Sequence, residues 1–321
     1  MRFLVRLLVV AVVFGVPVTH TTATAGAHSP ARDAVLVTGA SSGIGKRIAL
    51  TLAENGFHVY AGARKPADIA ALSQIENIQG IRLDVTVQAE IDAAVSTVRR
   101  DGRRLYGVVN NAGVFLFDPL IEVSEDDMQF IMDVNLFGPY RVTKAFAPLI
   151  IESEGRIMTV GSLAGIFSNS LFGPYAMSKH AMEAFTEALD QEMAKFNVDA
   201  AIVEPGNFRS DVMKNMHRRT TSAKDGTQQT RYADEVARFA TFTQADRSSH
   251  ADPTPVAEAV LDFFTADDPK LRYLVSVSEA EVAYTLGRAL QKVVELNDDQ
   301  AFSQDLEQLT AKLEELFAKT N

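Results

Sequence analysis

Three side chains between residues 162 and 179 have the types and spacing of an acid–base centre: Ser162, Tyr175 and Lys179. Tyr175 and Lys179 are four residues apart, so on a helix they share one face, one turn apart. The segment from Tyr175 to Lys195 is rich in Ala, Met, Lys, Glu and Leu and holds no Gly or Pro, which predicts that helix. A cation beside a phenol favours the phenolate, lowers the tyrosine pKa and makes Tyr175 a tunable proton donor and acceptor. Ser162 lies thirteen positions upstream, just after the apolar run Ile157–Val160. It is expected at the carboxyl end of a buried strand, where open α/β sheets bind their ligands. A Tyr-x-x-x-Lys spacing also occurs by chance on solvated helices, so its weight rests on its surroundings.

The first element that must accompany such a centre is a phosphate cradle. Val35-Leu36-Val37 is a short apolar run, followed by Thr38-Gly39-Ala40-Ser41-Ser42-Gly43-Ile44-Gly45 and a helical pattern that reaches Asn55 and closes at Gly56. Strand, glycine loop and helix in that order bring backbone N–H groups against a pyrophosphate. Gly39, Ser41, Ser42, Gly43, Ile44 and Gly45 are the candidate contacts, and a tight turn that needs flexible glycines is the plainer reading. The next strand, His58–Ala63, runs into Arg64-Lys65 and carries no acid where an NAD site commonly places one. A planar guanidinium at Arg64 suits a 2′-phosphate, so NADP is expected over NAD; a solvated basic pair closing a strand is the alternative.

The rest of the chain alternates in the same manner. A third strand is expected at Ile81–Val85, its Asp84 either touching an adenine or capping a helix that starts near Val87. Helix Gln88–Arg100 and strand Leu105–Val109 lead to Asn110-Asn111-Ala112-Gly113, small residues that leave room for a ligand or simply make a turn. A long helix is expected over Ser124–Ile151, N-capped by Ser124 and interrupted at Gly138-Pro139. It carries Asn135 in an apolar neighbourhood, either a hydrogen-bonding post or a link in a proton path. Strand Asp199–Val203 ends in Glu204-Pro205-Gly206. Residues 207–250 turn polar and lose any clear period, which fits a flap over the site or a disordered insertion. Helix Pro255–Phe264, strand Tyr273–Val277 and helix Ala280–Glu295 follow. Leu306, Leu309, Leu313, Leu316 and Phe317 then form an apolar stripe expected to dock on the body or on a second subunit. Seven strand–helix alternations imply one doubly wound parallel α/β sheet.

Composition narrows the function. A net charge of −10 over 321 residues argues against nucleic acid as a partner. With no cysteine, disulfides and thiol chemistry are excluded, and the six scattered histidines lack ligand spacing, so no metal is expected. Arg2 and Arg6 precede the apolar run Leu7–Val18, and Ala25-Gly26-Ala27 follows. That layout fits a secretory signal, a membrane anchor, or a misassigned start, and it makes export or membrane contact through residues 7–18 the expectation, with a cytoplasmic protein as the alternative. Three parts result: residues 1–30 as signal or anchor and linker, 31–278 as the sheet domain, and 279–321 as a helical extension.

Taken together these residues resemble the short-chain dehydrogenase/reductases over about residues 34–277. Thr38–Gly45, Asp84, Asn110–Gly113, Asn135, Ser162, Tyr175-x3-Lys179 and Pro205-Gly206 occur in that family's order and approximate spacing. The stretch Tyr175–Gly206 is similar to the branch with retinol and hydroxysteroid dehydrogenases and related bacterial reductases. The resemblance implies a Rossmann-type fold and a tetrad of Asn135, Ser162, Tyr175 and Lys179. In it Tyr175 is the acid/base, Lys179 lowers its pKa and holds the nicotinamide ribose, Ser162 binds the substrate oxygen and Asn135 supports a water-linked relay. Beside the Arg64 contact read above, it implies cofactor contacts at Asp84, Asn111, Ala112, Gly113, Pro205, Gly206 and Ser210, the last standing where threonine is frequent; Gly161 stands where a second serine is common. The implied activity is NADP-dependent interconversion of an alcohol with a ketone or aldehyde, and the alternative is a dinucleotide-sensing or scaffolding module. Phe115, Phe117, Ile166, Phe167, Leu171 and Phe172 are expected to make the substrate walls apolar. A homodimer or homotetramer is expected, with Phe130, Phe146, Met182 and Phe185 as outward contacts.

Overall fold

In the computed structural model, which describes residues 33–210, 230–244 and 250–320, the strands form one parallel sheet ordered β3-β2-β1-β4-β5-β6-β7. The strands are β1 (Asp33–Val37), β2 (His58–Ala63), β3 (Ile78–Arg82), β4 (Arg104–Asn110), β5 (Arg156–Val160), β6 (Asp199–Pro205) and β7 (Arg272–Val275). Every residue of β1 and β5 is buried, because helices cover both faces and each strand must be apolar on both. On one face Val35 and Val37 meet α1 (Gly43–Glu54) and the later helix Thr254–Thr265; on the other, Ala34 and Leu36 meet α3 (Gln88–Asp101) and the helices that follow β4. Helix α2 (Pro66–Leu72) joins β2 to β3. The order reverses between β1 and β4, which opens a crevice at the carboxyl ends of those strands.

Two boundaries differ from the sequence expectation in ways that bear on the crevice. The third strand pairs at Ile78–Arg82, upstream of Ile81–Val85, because the ladder runs along β2 from Val59 to Ala63. Asp84 is thereby released into the loop. The helix expected over Ser124–Ile151 is three pieces: α4 (Glu125–Met132), a π-turn at Asp133–Phe137 and α5 (Gly138–Glu152). Ser124 does cap α4, its hydroxyl accepting from Asp127 N at 3.1 Å. The interruption precedes Gly138-Pro139 and contains Asn135, so the widened π-turn, a feature frequent at functional sites, falls on the amide singled out by sequence.

After β5 come a single 3₁₀ turn (Leu163–Gly165) and α6 (Gly173–Met193), which begins two residues before Tyr175 with Pro174 in its first turn. The polar stretch contains a helix, α7 (Ala233–Gln244); α8 (Thr254–Thr265), α9 (Glu279–Asn297) and α10 (Leu306–Thr320) complete the chain. The outward contacts expected for assembly need correction: Phe146 and Met182 are 0% and 1% exposed, Phe146 lying in the core against the sheet, and Phe130 packs against that core. Phe137, Tyr140 and Met177 are the exposed apolar side chains of that region. The C-terminal stripe keeps much of its surface in solvent at Leu306, Leu313, Leu316 and Phe317. The signal-like residues 1–27, and residues 211–229 and 245–249 of the expected flap, lie outside the described residues. Among the described residues no helix is long and apolar enough to cross a membrane.

Candidate active site

A cleft of about 510 Å³ lies at the carboxyl ends of the strands, and the two groups of residues singled out by sequence meet in it. Gly39, Ser41, Ser42, Gly43, Ile44, Gly45, Arg64, Asp84, Asn111, Ala112, Gly113, Pro205, Gly206 and Ser210 all line it, and so do Ser162, Tyr175 and Lys179. Asn135 does not.

The glycine loop has the form of an anion cradle. Gly39 sits at φ +65°, and a Cβ there would come 2.9 Å from Ala112 Cα. The N-cap of α1, Ser42, makes no side-chain cap and no acid occupies the first turn, so the helix's leading N–H groups are available to a negative ligand. Beneath the loop Thr38 acts as a hub that sequence reading passed over: its Oγ1 donates to Val109 O at 3.2 Å and accepts from Asn111 N at 2.9 Å and Ala112 N at 3.0 Å. Asn111 returns the bond, its Nδ2 donating to Thr38 O at 2.8 Å. These bonds fasten the two loops that flank the β1/β4 switch point. A lone threonine at a strand end gives no pattern from which this could be foreseen.

At the adenosine end, Arg64 follows β2 with its side chain 65% exposed, its Nη1 3.8 Å from Asp84 Oδ2. Asp84 does not cap α3. Its Oδ1 accepts from Thr86 N at 3.0 Å and Thr86 Oγ1 at 2.7 Å, an Asx-type turn. Burial alone would push this carboxyl up, but the Thr86 bonds and the Arg64 and Arg82 charges together hold it below the usual carboxylate range.

At the other end, Ser162 lies two residues beyond β5 in extended backbone and caps the 3₁₀ turn, its Oγ accepting from Ala164 N at 3.2 Å. A Cβ at position 161 would stand 2.8 Å from Ile202 Cδ1, so a serine there would require the Ile202 side chain to shift. Ser162 and Tyr175 line the same cleft, and the serine hydroxyl favours the phenolate of Tyr175. Lys179 is 7% exposed; its Nζ donates to Val160 O at 2.8 Å and lies 5.7 Å from the centre of the Tyr175 ring. Burial pushes the Tyr175 phenol up and the Ser162 hydroxyl pulls it part of the way back. The lowering by lysine expected from sequence is therefore not the dominant influence in the chain alone. Burial acts on the lysine as well, pushing Lys179 down to about 8 against the upward pull of the Glu183 carboxylate.

Asn135 is 2% exposed and occupied within the protein. Its Oδ1 accepts from Val114 N at 2.8 Å, and its Nδ2 donates to Val114 O at 2.9 Å and Ser178 Oγ at 3.0 Å. In this geometry the side chain is a post that ties the Asn111–Val114 segment to α6.

Of the expected substrate walls, Phe115, Phe167 and Phe172 line the cleft, together with the polar Ser168 and Asn169. Phe117 and Leu171 stand behind them in a cluster that includes Tyr175, Tyr232, Val236 and Phe239. The last three come from α7 and the residue before it, inside the polar stretch, and Phe239 stacks on Phe117 and Phe115. Sequence reading missed them because the surrounding charge hides a three-residue apolar edge. It also missed Glu281 of α9, which lines the cleft and accepts from Asn207 N at 3.1 Å, fixing the Pro205-Gly206-Asn207 bend. Among the described residues no His, Cys, Asp and Glu group could hold a metal ion.

Comparison with known proteins gives a consistent result. The family model described as short chain dehydrogenase matches residues 33–221. An uncharacterized oxidoreductase of Escherichia coli (strain K12), YbbO, is 32% identical over 248 residues, covering 77% of this chain and 86% of its own. The mitochondrial D-beta-hydroxybutyrate dehydrogenase of Bos taurus is 32% identical over 290 residues, covering 80% and 81%. Among solved structures, a short-chain dehydrogenase from Streptomyces avermitilis superposes with a TM-score of 0.71 at 28% identity, covering 84% of this chain and 96% of that one.

Proposed function

The chain belongs to the short-chain dehydrogenase/reductase family and is an oxidoreductase acting on CH–OH groups; from that premise we propose that it moves a hydride between NADP(H) and an apolar alcohol–carbonyl pair. One observation carries the reading: Ser162, Tyr175 and, one turn on, Lys179 open into the same cleft as the uncapped end of α1. The left-handed Gly39 and the free helix N-terminus fit a dinucleotide's phosphates. A bound nicotinamide dinucleotide supplies or accepts the hydride. The chain does the rest. Ser162 Oγ holds the substrate oxygen, Tyr175 Oη gives it a proton or takes one, and Lys179 supplies positive charge beside the developing alkoxide. Asn135 keeps the Asn111–Val114 wall of the cleft in register with α6.

Arg64 supports NADP over NAD, because its exposed guanidinium approaches Asp84 only to 3.8 Å and can turn to a 2′-phosphate. A charge-assisted contact of that kind is worth about 1.5–3 kcal/mol. Arg64→Ala is expected to narrow the NADP/NAD ratio of kcat/KM by roughly tenfold or more. A wild type that prefers NAD, or a variant with the same preference, would remove the assignment.

The charged residues lining the cleft, among those described, are Arg64, Asp84, Lys179 and Glu281. Arg64 and Asp84 lie at the adenosine end, Lys179 is engaged with Val160 and Glu281 is an acid. With Phe115, Phe167 and Phe172 as walls this favours an uncharged, apolar carbonyl over a short hydroxy acid. NADPH consumption is expected with apolar ketones and aldehydes and to be much weaker with 3-oxo acids and sugars. Tight NADPH binding with no turnover across the panel would instead favour a dinucleotide-binding module. Since Phe239 backs Phe115, Phe117 and Phe172, Phe239→Ala should raise KM for the best ketone by about threefold to tenfold with little change in kcat, the worth of one or two aromatic contacts. An unchanged KM would show that α7 does not shape the pocket.

Assembly as a homo-oligomer belongs to the same proposal and is supported by the exposed Phe137, Tyr140 and Met177. Export or membrane contact through residues 7–18 rests on the sequence pattern alone.

A further inference from the structure

Helix α9 docks on the body by its polar side, the reverse of an ordinary amphipathic helix. Leu286, Leu290, Val293 and Val294 are exposed, whereas Thr285 is fully buried. Ser278 caps the helix, its Oγ accepting from Glu281 N at 3.3 Å. The Glu281 carboxylate reaches back to accept from Val277 N at 3.1 Å and also takes the N–H of Asn207. The start of α9 is thus pinned to the bend after β6, at one rim of the cleft.

Further along, the same side of α9 meets the opposite rim. Tyr284 Oη donates to Asn169 Oδ1 at 3.1 Å, and its ring stands edge-on to Phe167 with ring centres 5.0 Å apart. Two turns on, Lys292 Nζ donates to Ile166 O and lies 3.3 Å from His180 Nε2. His180 Nδ1 is 2.9 Å from Ala176 O, which can only accept, so Nδ1 carries the proton and Nε2 accepts from the ammonium. Residues 166–169 are therefore held at both ends from outside the cleft.

This segment is a wall of the site. Phe167, Ser168 and Asn169 line the cleft, and Tyr284 and Lys292 are not among the described residues that do. Ser168 and Asn169 are exposed, so core packing alone does not set where the wall stands. The bonds from α9 do.

We propose that Tyr284 and Lys292 set the size limit of the substrate site by holding residues 166–169 inward. The proposal rests on the reading of this cleft as the site of an apolar ketone. Both are positioning residues that act through the wall. Ser162 is fixed separately by its bond from Ala164 N, so the reacting end keeps its geometry without them.

Tyr284→Phe keeps the ring and removes the bond to Asn169. Its KM for acetophenone, a one-ring ketone, should rise by about twofold to tenfold, the worth of one hydrogen bond, with kcat and NADPH binding unchanged. Its KM for acetylanthracene, a three-ring ketone, should stay in place or fall, because a released wall can move outward. Lys292→Met should shift the selection in the same direction. Lys292→Arg should restore it, since a guanidinium can donate to both Ile166 O and His180. Leu290→Gln, on the exposed face of the same helix, should alter neither KM.

The experiment compares the full-length chain with these variants in NADPH-dependent reduction of both ketones. Calorimetry of each ketone with the NADP⁺-loaded protein reads the same selection without turnover. KM values that stay put in both Tyr284→Phe and Lys292→Met, or that rise for both ketones together with the NADPH constant, would overturn the proposal. A wild type that binds the ketones but turns over neither would count against the assigned reaction, and the calorimetric constants would then decide the wall by the same criteria. Ketones that bind to no form of the protein would overturn both.

Discussion

Tyr175→Phe is expected to lower kcat by roughly 10²–10⁴-fold, the usual worth of a positioned proton donor, while NADPH still binds. The substitution removes one oxygen and keeps the ring, which packs 4.6 Å from the Phe115 ring centre and against the Phe172 and Phe239 cluster, so the fold should be unaffected. The oxygen is the atom that matters, since Tyr175 shares the cleft with Ser162 and has Lys179 one turn away. Steady-state reduction of the best ketone, with NADPH binding followed by fluorescence, checks both parts. Equal turnover by wild type and variant would show that the proton comes from elsewhere.

The second large effect is expected at the cradle. In Gly45→Ala the new methyl would stand 2.6 Å from Gly39 O and closer still to Asn111 Nδ2. Neither neighbour can yield cheaply, because Asn111 Nδ2 is the donor that ties the Asn111 loop to Thr38 O and Gly39 O. The glycine loop must shift, and the phosphate-facing N–H groups shift with it. Overpacking of this kind costs about 1–3 kcal/mol, so NADPH binding should weaken by roughly tenfold to a hundredfold. Gly102, at φ +70° with nothing within 4 Å of its missing Cβ, lies outside the cleft and is the control: Gly102→Ala should leave binding unchanged although it strains a helix end. Equal binding by the Gly45 variant and wild type would mean that the dinucleotide does not sit on this loop.

Much of this architecture could be read from residue order because its signals are local. Apolar runs such as Val35-Leu36-Val37 and Ile157–Val160 are strands buried on both faces, and the loop between Thr38 and Gly45 carries its own backbone requirements. The elements that went astray depend on contacts far apart in sequence. The third strand begins earlier than its apolar run, because Gln79 and Gly80 have no strand signal of their own and enter the ladder by pairing with Tyr60 and Ala61 of β2. Phe146 and Met182 are buried and not outward, because periodicity gives a helix face but not which neighbours cover it. Tyr175 and Lys179 could be found by spacing alone, but the balance of their charges could not: it depends on burial and on Glu183, which Arg272 of strand β7 approaches to 3.4 Å. Thr38 and Glu281 escaped for the same reason, each a common residue made important by what folds over it.

The most direct test of the assigned chemistry is an isotope transfer. NADPH carrying deuterium at the nicotinamide C4 hydride position is incubated with the full-length protein and an apolar ketone, and the alcohol is examined by mass spectrometry and NMR. Deuterium on the former carbonyl carbon, from one face of the nicotinamide only and absent when Tyr175→Phe replaces the wild type, is the predicted result. NADPH that binds in the cleft but leaves every carbonyl offered unlabelled would contradict it.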